Sequence, residues 1–431
     1  MRRFKRFRQL FPAFFAPFLA GFRHTAQRRL APLYVQGLCS FVARKSITPL
    51  AQTVAPGQGD HLQHFITDSP WDPQPLETLV AQQAQRLVGG KDAVLIIDDT
   101  CLTKFGTKSV GVSRQYSGQV GKVTNCQCLV SLTLAQHDVP IPLALRLFLP
   151  SEWTGDVERC ERAGVPAAHL VPKAKWEIAL EELDRVRRSV TFGVVLADAA
   201  YGNNAEFRKA LSKRGLFWSV GIVRNQKVYS EDVRLIPPPR IVRGRRPKGP
   251  SASEERQTVE ALLQAAPWHE ITWRHGTKGP MRGRFAAVFV RIADGAANGA
   301  GAHLPGEELW VIGEERNNGG CKYYACNFGP AATLNDLVAV TKRRWACEHG
   351  HRELKQEVGL SHFEGRSWRG LHHHAVLCLV ALAFLQAIRL EQPDGVQGET
   401  LPAIRAELAG TLSQPLLCPR CRLLTVQPAG P

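Results

Sequence analysis

No acidic residue precedes Asp60, while the first 50 residues carry ten Lys/Arg. A second acid-free run, Arg234 to Lys248, includes RGRRPKG. With 55 Lys+Arg against 38 Asp+Glu the formal charge is +17, and much of it is concentrated at these two places. Charge gathered in this way favours a polyanionic partner over plain solubility, because neutralising phosphates releases condensed counterions. A disulfide framework is missing as well. The eleven cysteines are odd in number and scattered singly, which suits a reducing cytoplasm. Cys418 and Cys421 form one CxxC without a second pair to complete a zinc site.

Long apolar runs are also lacking. LFPAFFAPFLAGF behind MRRFKRFRQ superficially copies a signal peptide, but Pro12 and Pro17 interrupt it and Arg23, Arg28 and Arg29 follow. Its Phe and Leu residues are expected to be core. Ala375–Ile388 is too short to span a bilayer and lies behind three histidines. No membrane partner is expected. At 44% hydrophobic and 22% charged the chain reads as globular.

Residues 1–88 read as helices separated by Pro and Gly: Phe4–Leu10, Tyr34–Ala43 and Leu76–Leu87. Ala93–Ile97 is a continuous apolar run leading into Asp98, Asp99 and Thr100, the pattern of a buried strand that delivers acids at its end. Strand-like runs follow at Cys126–Leu134 and Pro140–Leu149, then a helix at Lys173–Arg188. Gly193–Ala197 is a second apolar strand ending in an acid, Asp198. Asn204–Arg214 reads as a helix and Leu216–Val223 as a strand. A Pro- and Arg-rich loop, a short helix and four strand candidates occupy the region up to Asn327, and from Leu334 the pattern is helical to about Leu390. Three strands followed by alternating helix and strand is the ribonuclease H-like order.

Mg²⁺ takes a few carboxylates and keeps waters for a substrate phosphate to displace. Two such ions about 4 Å apart can serve both the attacking and the leaving oxygen of a phosphodiester displacement. Asp99 and Asp198 both follow apolar strands, so parallel neighbours would bring them to one edge. Asp98 competes with Asp99, and the alternation of strand side chains sends the two to opposite faces. On a helix through Arg343–Lys355, the positions of Arg344, Glu348, Arg352 and Lys355 share one face. Arg344 and Lys355 then bracket Glu348 with positive charge.

This segment is similar to the Tyr-x2-Arg-x3-Glu-x6-Lys signature of a large group of bacterial DDE transposases. Arg344, Glu348 and Lys355 match, and Thr341 stands at the Tyr position. IIDDT with KFGTKSVGVSRQYSGQVGKVTNCQ resembles the first-Asp region of one subgroup. VLADAAYGNN resembles its second-Asp region, and KQEVGLSHFEGRSWRGLHHH the stretch after its Glu. The resemblance runs from about residue 30 to 390. It implies a ribonuclease H-like mixed α/β sheet with a β-rich insertion, preceded by a helical N-terminal domain. It also implies Asp99, Asp198 and Glu348 as metal ligands.

The expected division is a basic, helical DNA-binding domain at 1–88, a first part of the catalytic core at 89–223, an insertion at 224–330, the C-terminal core helices at 331–392 and a tail at 393–431. The implied activity is cleavage at transposon ends and strand transfer into target DNA, with Mg²⁺ as cofactor and Mn²⁺ able to substitute. The implied partner is double-stranded DNA, both terminal inverted repeats and target, bound by a homodimer associated with the nucleoid. Arg344, Lys355, Arg114, Lys122, Arg243, Arg245 and Arg246 are the expected DNA contacts. Trp310 is a candidate for stacking on a displaced base. Three adjacent histidines, His372, His373 and His374, point in different directions on a helix and make a poor chelate. The competing readings are a domesticated or inactive transposase that only binds DNA, and a stand-alone ribonuclease H-like nuclease.

Overall fold

The computed structural model describes residues 10–118, 120–238, 249–276, 279–297, 302–316, 319–391, 400–412, 416–417 and 424–425. Leu10–Gly21 is helical. Phe11, Phe15, Phe18 and Phe22, spaced for one helical face, are all buried, and Phe11 meets Phe384 edge-on at 5.1 Å. These phenylalanines are core, as expected. Four helices follow: α1 (Thr25–Cys39), α2 (Ile47–Val54), α3 (Gly59–Thr67) and α4 (Gln74–Val88). Helix α1 starts nine residues earlier than Tyr34 and carries Pro32 in its interior. The short α2 and α3 escaped the sequence reading, because eight or nine residues hold too little periodicity. The buried hydrophobic residues of all four belong to the same cluster as the central sheet.

The core elements are β1 (Val94–Thr103), β2 (Ser113–Ser117), β3 (Lys122–Gln136), β4 (Val139–Leu147), α5 (Lys175–Val186), β5 (Val194–Ala197), α6 (Ala199–Gly202), α7 (Ala205–Lys213) and β6 (Trp218–Ile222). β3 pairs antiparallel with both β1 and β4, while β5 runs parallel to β1 and to β6. The spatial order β4-β3-β1-β5-β6 is the ribonuclease H-like arrangement, a mixed sheet whose parallel half is connected through helices.

The region between β6 and the last helices is rich in strands, as expected: β7 (Lys227–Ser230), β8 (His269–Gly276), β9 (Gly279–Ile292), β10 (Glu308–Glu315) and β11 (Cys321–Cys326). These strands continue the central sheet. β11 pairs antiparallel with β6, with Ala325 opposite Val220, and β10 and β9 follow outward. The result is one twelve-stranded sheet, in which these strands cover the edge that β6 would otherwise leave open.

The C-terminal helical stretch is broken into α8 (Leu334–Lys342), α9 (Trp345–Gln356) and α10 (Trp368–Leu390). Gly350 inside α9 has a packing reason: a Cβ there would lie 3.1 Å from Pro140 Cβ. Helix α10 begins at Trp368, well before the apolar stretch expected from sequence, and is long and apolar enough to cross a membrane. However, 94% of its most apolar window is buried inside the protein. It packs on α1, α3, α4 and β4. Its three histidines do diverge. His372 Nδ1 faces Trp368 O, His373 stacks on Trp71 at 3.7 Å, and His374 Nδ1 meets the Tyr34 hydroxyl at 2.9 Å.

Candidate active site on one face of the sheet

β1 does not stop at its acids. It runs on to Thr103 because the longer β3 pairs with it along its whole length, so Asp98 and Asp99 sit mid-strand. The parallel neighbour β5 ends at Ala197, opposite Ile97. Beyond that point β1 has lost its partner on one side, and Asp98 and Asp198 stand at the opening.

Strand alternation assigns the faces. Val94, Ile96, Val194 and Leu196 form a cluster with Ala346 and Cys347 of α9. Asp98 and Asp198 continue these two series and therefore belong to the face covered by α9, the helix that carries Glu348. Leu95, Ile97, Val195 and Ala197 point into the main core on the other face, and Asp99 goes with them. Its carboxylate is held at 2.6 Å by Lys175 Nζ from α5 and at 2.5 Å by the Tyr201 hydroxyl from α6. The expected trio of Asp99, Asp198 and Glu348 is thus divided between two faces of the sheet, and Asp98 lies where Asp99 was expected.

Arg344 links the acids. It is the residue immediately before α9, where the backbone turns out of α8, and not an interior helical residue as the sequence spacing suggested. One guanidinium nitrogen donates to Asp98 Oδ2 at 2.7 Å and another to Glu348 Oε1. Burial works against the charged form of Arg344, but the carboxylates of Asp98, Glu348 and Asp198 together raise its pKa. Burial pushes the Asp98 carboxyl up to about 7; Arg344 opposes this and the charge of Asp198 adds to it. Asp198 is also raised, by burial first, with Arg344 opposing and Asp99 adding. Its side chain caps α6 by accepting from the Ala200 amide at 2.9 Å. Glu348 is the exposed member, with 61% of its side chain open to solvent.

Sequence reasoning missed the residues that support this group. Ser131 of β3, opposite Asp98 in register, donates to the Asp98 carbonyl at 2.9 Å and meets His351 Nε2 at 2.6 Å. Burial lowers the His351 pKa to about 3, so the ring is neutral. Ligand atoms of Asp98, Cys347 and His351 lie within 4.8 Å of one another. The i, i+4 spacing of Cys347 and His351 was a readable signal for the pair, as was Tyr201 three residues after Asp198.

Of the other expected site residues, Lys355 lies near the C-terminal end of α9, half-buried, where the thiols of Cys101, Cys128 and Cys126 bear on its pKa after burial has lowered it. Arg114 and Lys122 are exposed on the β2–β3 hairpin. Arg243, Arg245 and Arg246 lie outside the described residues, as do Cys418 and Cys421. Trp310 is half-buried, packs against Phe289 at 5.2 Å and donates its indole N–H to Gly329 O. Thr341, at the signature's Tyr position, is buried and shares a 2.8 Å hydrogen bond with Ser219 of β6.

A protein of Microchaete diplosiphon named "Probable transposase for insertion sequence element IS701" is 30% identical over 193 residues, which cover 44% of this chain and 48% of the relative. The chain thus matches about half the length of that relative. A solved structure of the piggyBac transposase synaptic complex with hairpin DNA aligns over 90% of this chain and 76% of its own, at 10% identity and a TM-score of 0.39. The family model of the DDE superfamily endonucleases matches residues 17–280, a span that includes Asp98, Asp99 and Asp198 and more than half of the chain. DDE endonucleases work with divalent metal ions, and the chain belongs to this superfamily.

Proposed function

We propose that this chain is an insertion-sequence transposase that cuts DNA at transposon ends and joins them to target DNA, with Asp98, Asp198 and Glu348 as its metal ligands. The observation that carries the reading is the convergence of three carboxylates from β1, the end of β5 and α9 around one guanidinium, that of Arg344. Burial raises Asp98 and Asp198 although Arg344 opposes it, so the site is short of positive charge. All-oxygen donors suit a hard ion, so the cofactor is Mg²⁺, with Mn²⁺ able to replace it. When bound, such ions place charge on the scissile phosphate and activate the attacking oxygen.

The residues divide the remaining work. Asp98 and Asp198 emerge from adjacent strands and need no loop movement to approach each other. Glu348, the exposed member, is the third ligand. Arg344, once its carboxylates are engaged elsewhere, is positioned to pair with a DNA phosphate. Asp99 is a brace: through Tyr201 and Lys175 it ties β1 to α6 and α5, which holds Asp198 in register with Asp98. Arg114, Lys122 and Lys355, together with Arg243, Arg245 and Arg246, contribute backbone contacts to double-stranded DNA. The helices of the first 88 residues recognise the terminal inverted repeats, and two copies of the chain bring two ends together. The setting is the bacterial cytoplasm, at the nucleoid.

The test is Mg²⁺-dependent cleavage of DNA carrying the element's own ends. Asp98→Asn, Asp198→Asn and Glu348→Gln are expected to abolish it. Undiminished cleavage by Asp198→Asn or Glu348→Gln would sink the assignment.

A further inference from the structure

The aromatic residues of this protein are mostly core, yet Phe105 is fully exposed, at 105% relative accessibility. A phenylalanine on a floppy loop would mean little, but this loop is fastened. The Asn125 side-chain amide donates to the carbonyls on both sides of Phe105, Lys104 O at 2.8 Å and Gly106 O at 2.9 Å. Lys104 Nζ donates to Phe363 O, Arg159 to Thr107 O, and the Val110 amide to Arg366 O. The backbone is therefore fixed while the ring stands in water with nothing to pack on. Ordering costs that usually weaken a loop's binding are already met.

The loop's own stretch of chain is basic, and the one acid bearing on Lys104, Glu364, is paired with Arg44. Residues 100–137 contain no Asp or Glu but include Lys104, Lys108, Arg114 and Lys122. Asp98 pairs with Ser131, so odd-numbered β3 residues share its face, including Asn125, with Arg114 opposite it, and Val123, with Tyr116 opposite it. Tyr116 is exposed as well, at 65%. The Phe105 loop begins where β1 ends, about 20 Å along the strand from Asp98 at ~3.3 Å per residue. Protein-docking patches are depleted in charge at their centres, whereas aromatic rings among cations are the pattern of a base-stacking platform.

We propose that Phe105 stacks on an unpaired DNA base, with Tyr116 as a second platform and Lys108 and Arg114 on the adjoining phosphates. This rests on the DNA-processing reading above and extends it to single-stranded DNA. The experiment measures fluorescence anisotropy of labelled oligothymidylate and of a blunt duplex of equal length with the full chain, without divalent metal. Phe105→Ala is expected to weaken oligothymidylate binding about ten-fold, the size of one lost base–aromatic stack, with duplex binding unchanged. Phe105→Trp is expected to restore it. Because the side chain is fully exposed, neither variant threatens the fold. The proposal is overturned if Phe105→Ala binds oligothymidylate like the parent, or loses both DNAs equally. It is also overturned if the variant changes only the sedimentation of the DNA-free protein, which would mark a protein contact. Binding of neither DNA by the parent chain would overturn the DNA-processing reading too.

Discussion

Asp98 and Asp99 are neighbours in the chain and opposites in environment. Asp98 shares a single guanidinium with Glu348, lies close to the charge of Asp198, and is pushed up to about 7 by burial. Asp99 is bonded directly to an ammonium and a phenol. An acid with dedicated partners is a fastening. Acids that crowd one cation are held at a cost in stability, and such groups persist where a ligand completes them. On the proposed reading, the face of the sheet under α9 receives charge and the face under α5 and α6 holds shape.

The strongest way to break this contrast is to neutralise each aspartate in turn. Asp98→Asn is expected to lower Mg²⁺-dependent cleavage on the order of 10³-fold or more, since it removes several kcal/mol of metal-borne stabilisation, with little change in the urea midpoint. Asp99→Asn is expected to lose only 10–100-fold, roughly the effect of a residue that orients a ligand, but to unfold at lower urea. The reverse pattern would return the metal to Asp99.

The next effect tests the stable part of the molecule with protons. Burial lowers His372 to about 3 and His374 to about 4. Both are bases with depressed folded values, so below about 6.5 the unfolded chain takes up protons that the native state refuses. Stability is then complete above that pH and falls as the pH drops towards 4, by up to about 3 kcal/mol per pH unit for the two together. Burial lowers His351 to about 3 and His373 to about 4 as well, so His372→Gln should remove about a quarter of the total slope, as read from urea midpoints between pH 7 and 4.5.

Arg146→Ala comes third. On the Asp99 side of the sheet Arg146 binds Glu77 of α4 and Glu182 of α5, with only 3% of the Glu77 side chain exposed. A buried carboxylate stripped of its main partner costs about 3 kcal/mol, measured as equilibrium unfolding, and Arg185 keeps the loss from being larger. This pair fastens the N-terminal helices to the core, so loss of DNA affinity without loss of stability would refute the structural role.

The strands of the core were legible because β1 and β5 are continuous apolar runs, and the helix carrying Glu348 because its charged residues recur at helical spacing. Which aspartate faces Glu348 was not legible. Parity shows that Asp98 and Asp99 diverge, but only the tertiary position of α9 says which face is the working one. The continuity of β7–β11 with the main sheet was hidden for a similar reason: a strand's sequence does not name its partner, and β11 pairs with β6 across a hundred residues. Arg344 looked helical because spacing alone cannot register a turn between two helices.

Two smaller substitutions sharpen the comparison between faces. Tyr201→Phe removes one charge-assisted hydrogen bond from Asp99 and should cost about 2 kcal/mol, since Tyr201 is buried and no water replaces it. Because α6 begins at Asp198, the same change should also weaken Mg²⁺ binding, measured by calorimetry. Ser131→Ala acts on the other face. It leaves His351 Nε2 with the Cys347 sulfur, 3.4 Å away, and removes the hydroxyl's hydrogen bond to the Asp98 carbonyl. The expected cost is about 1 kcal/mol, with Mg²⁺ affinity nearly unchanged, because Ser131 touches the backbone of Asp98 and not its carboxylate. If Ser131→Ala weakened Mg²⁺ binding more than Tyr201→Phe, the orientation of Asp98 would depend on the Ser131–His351 pair, and the division between a fastening face and a receiving face would fail.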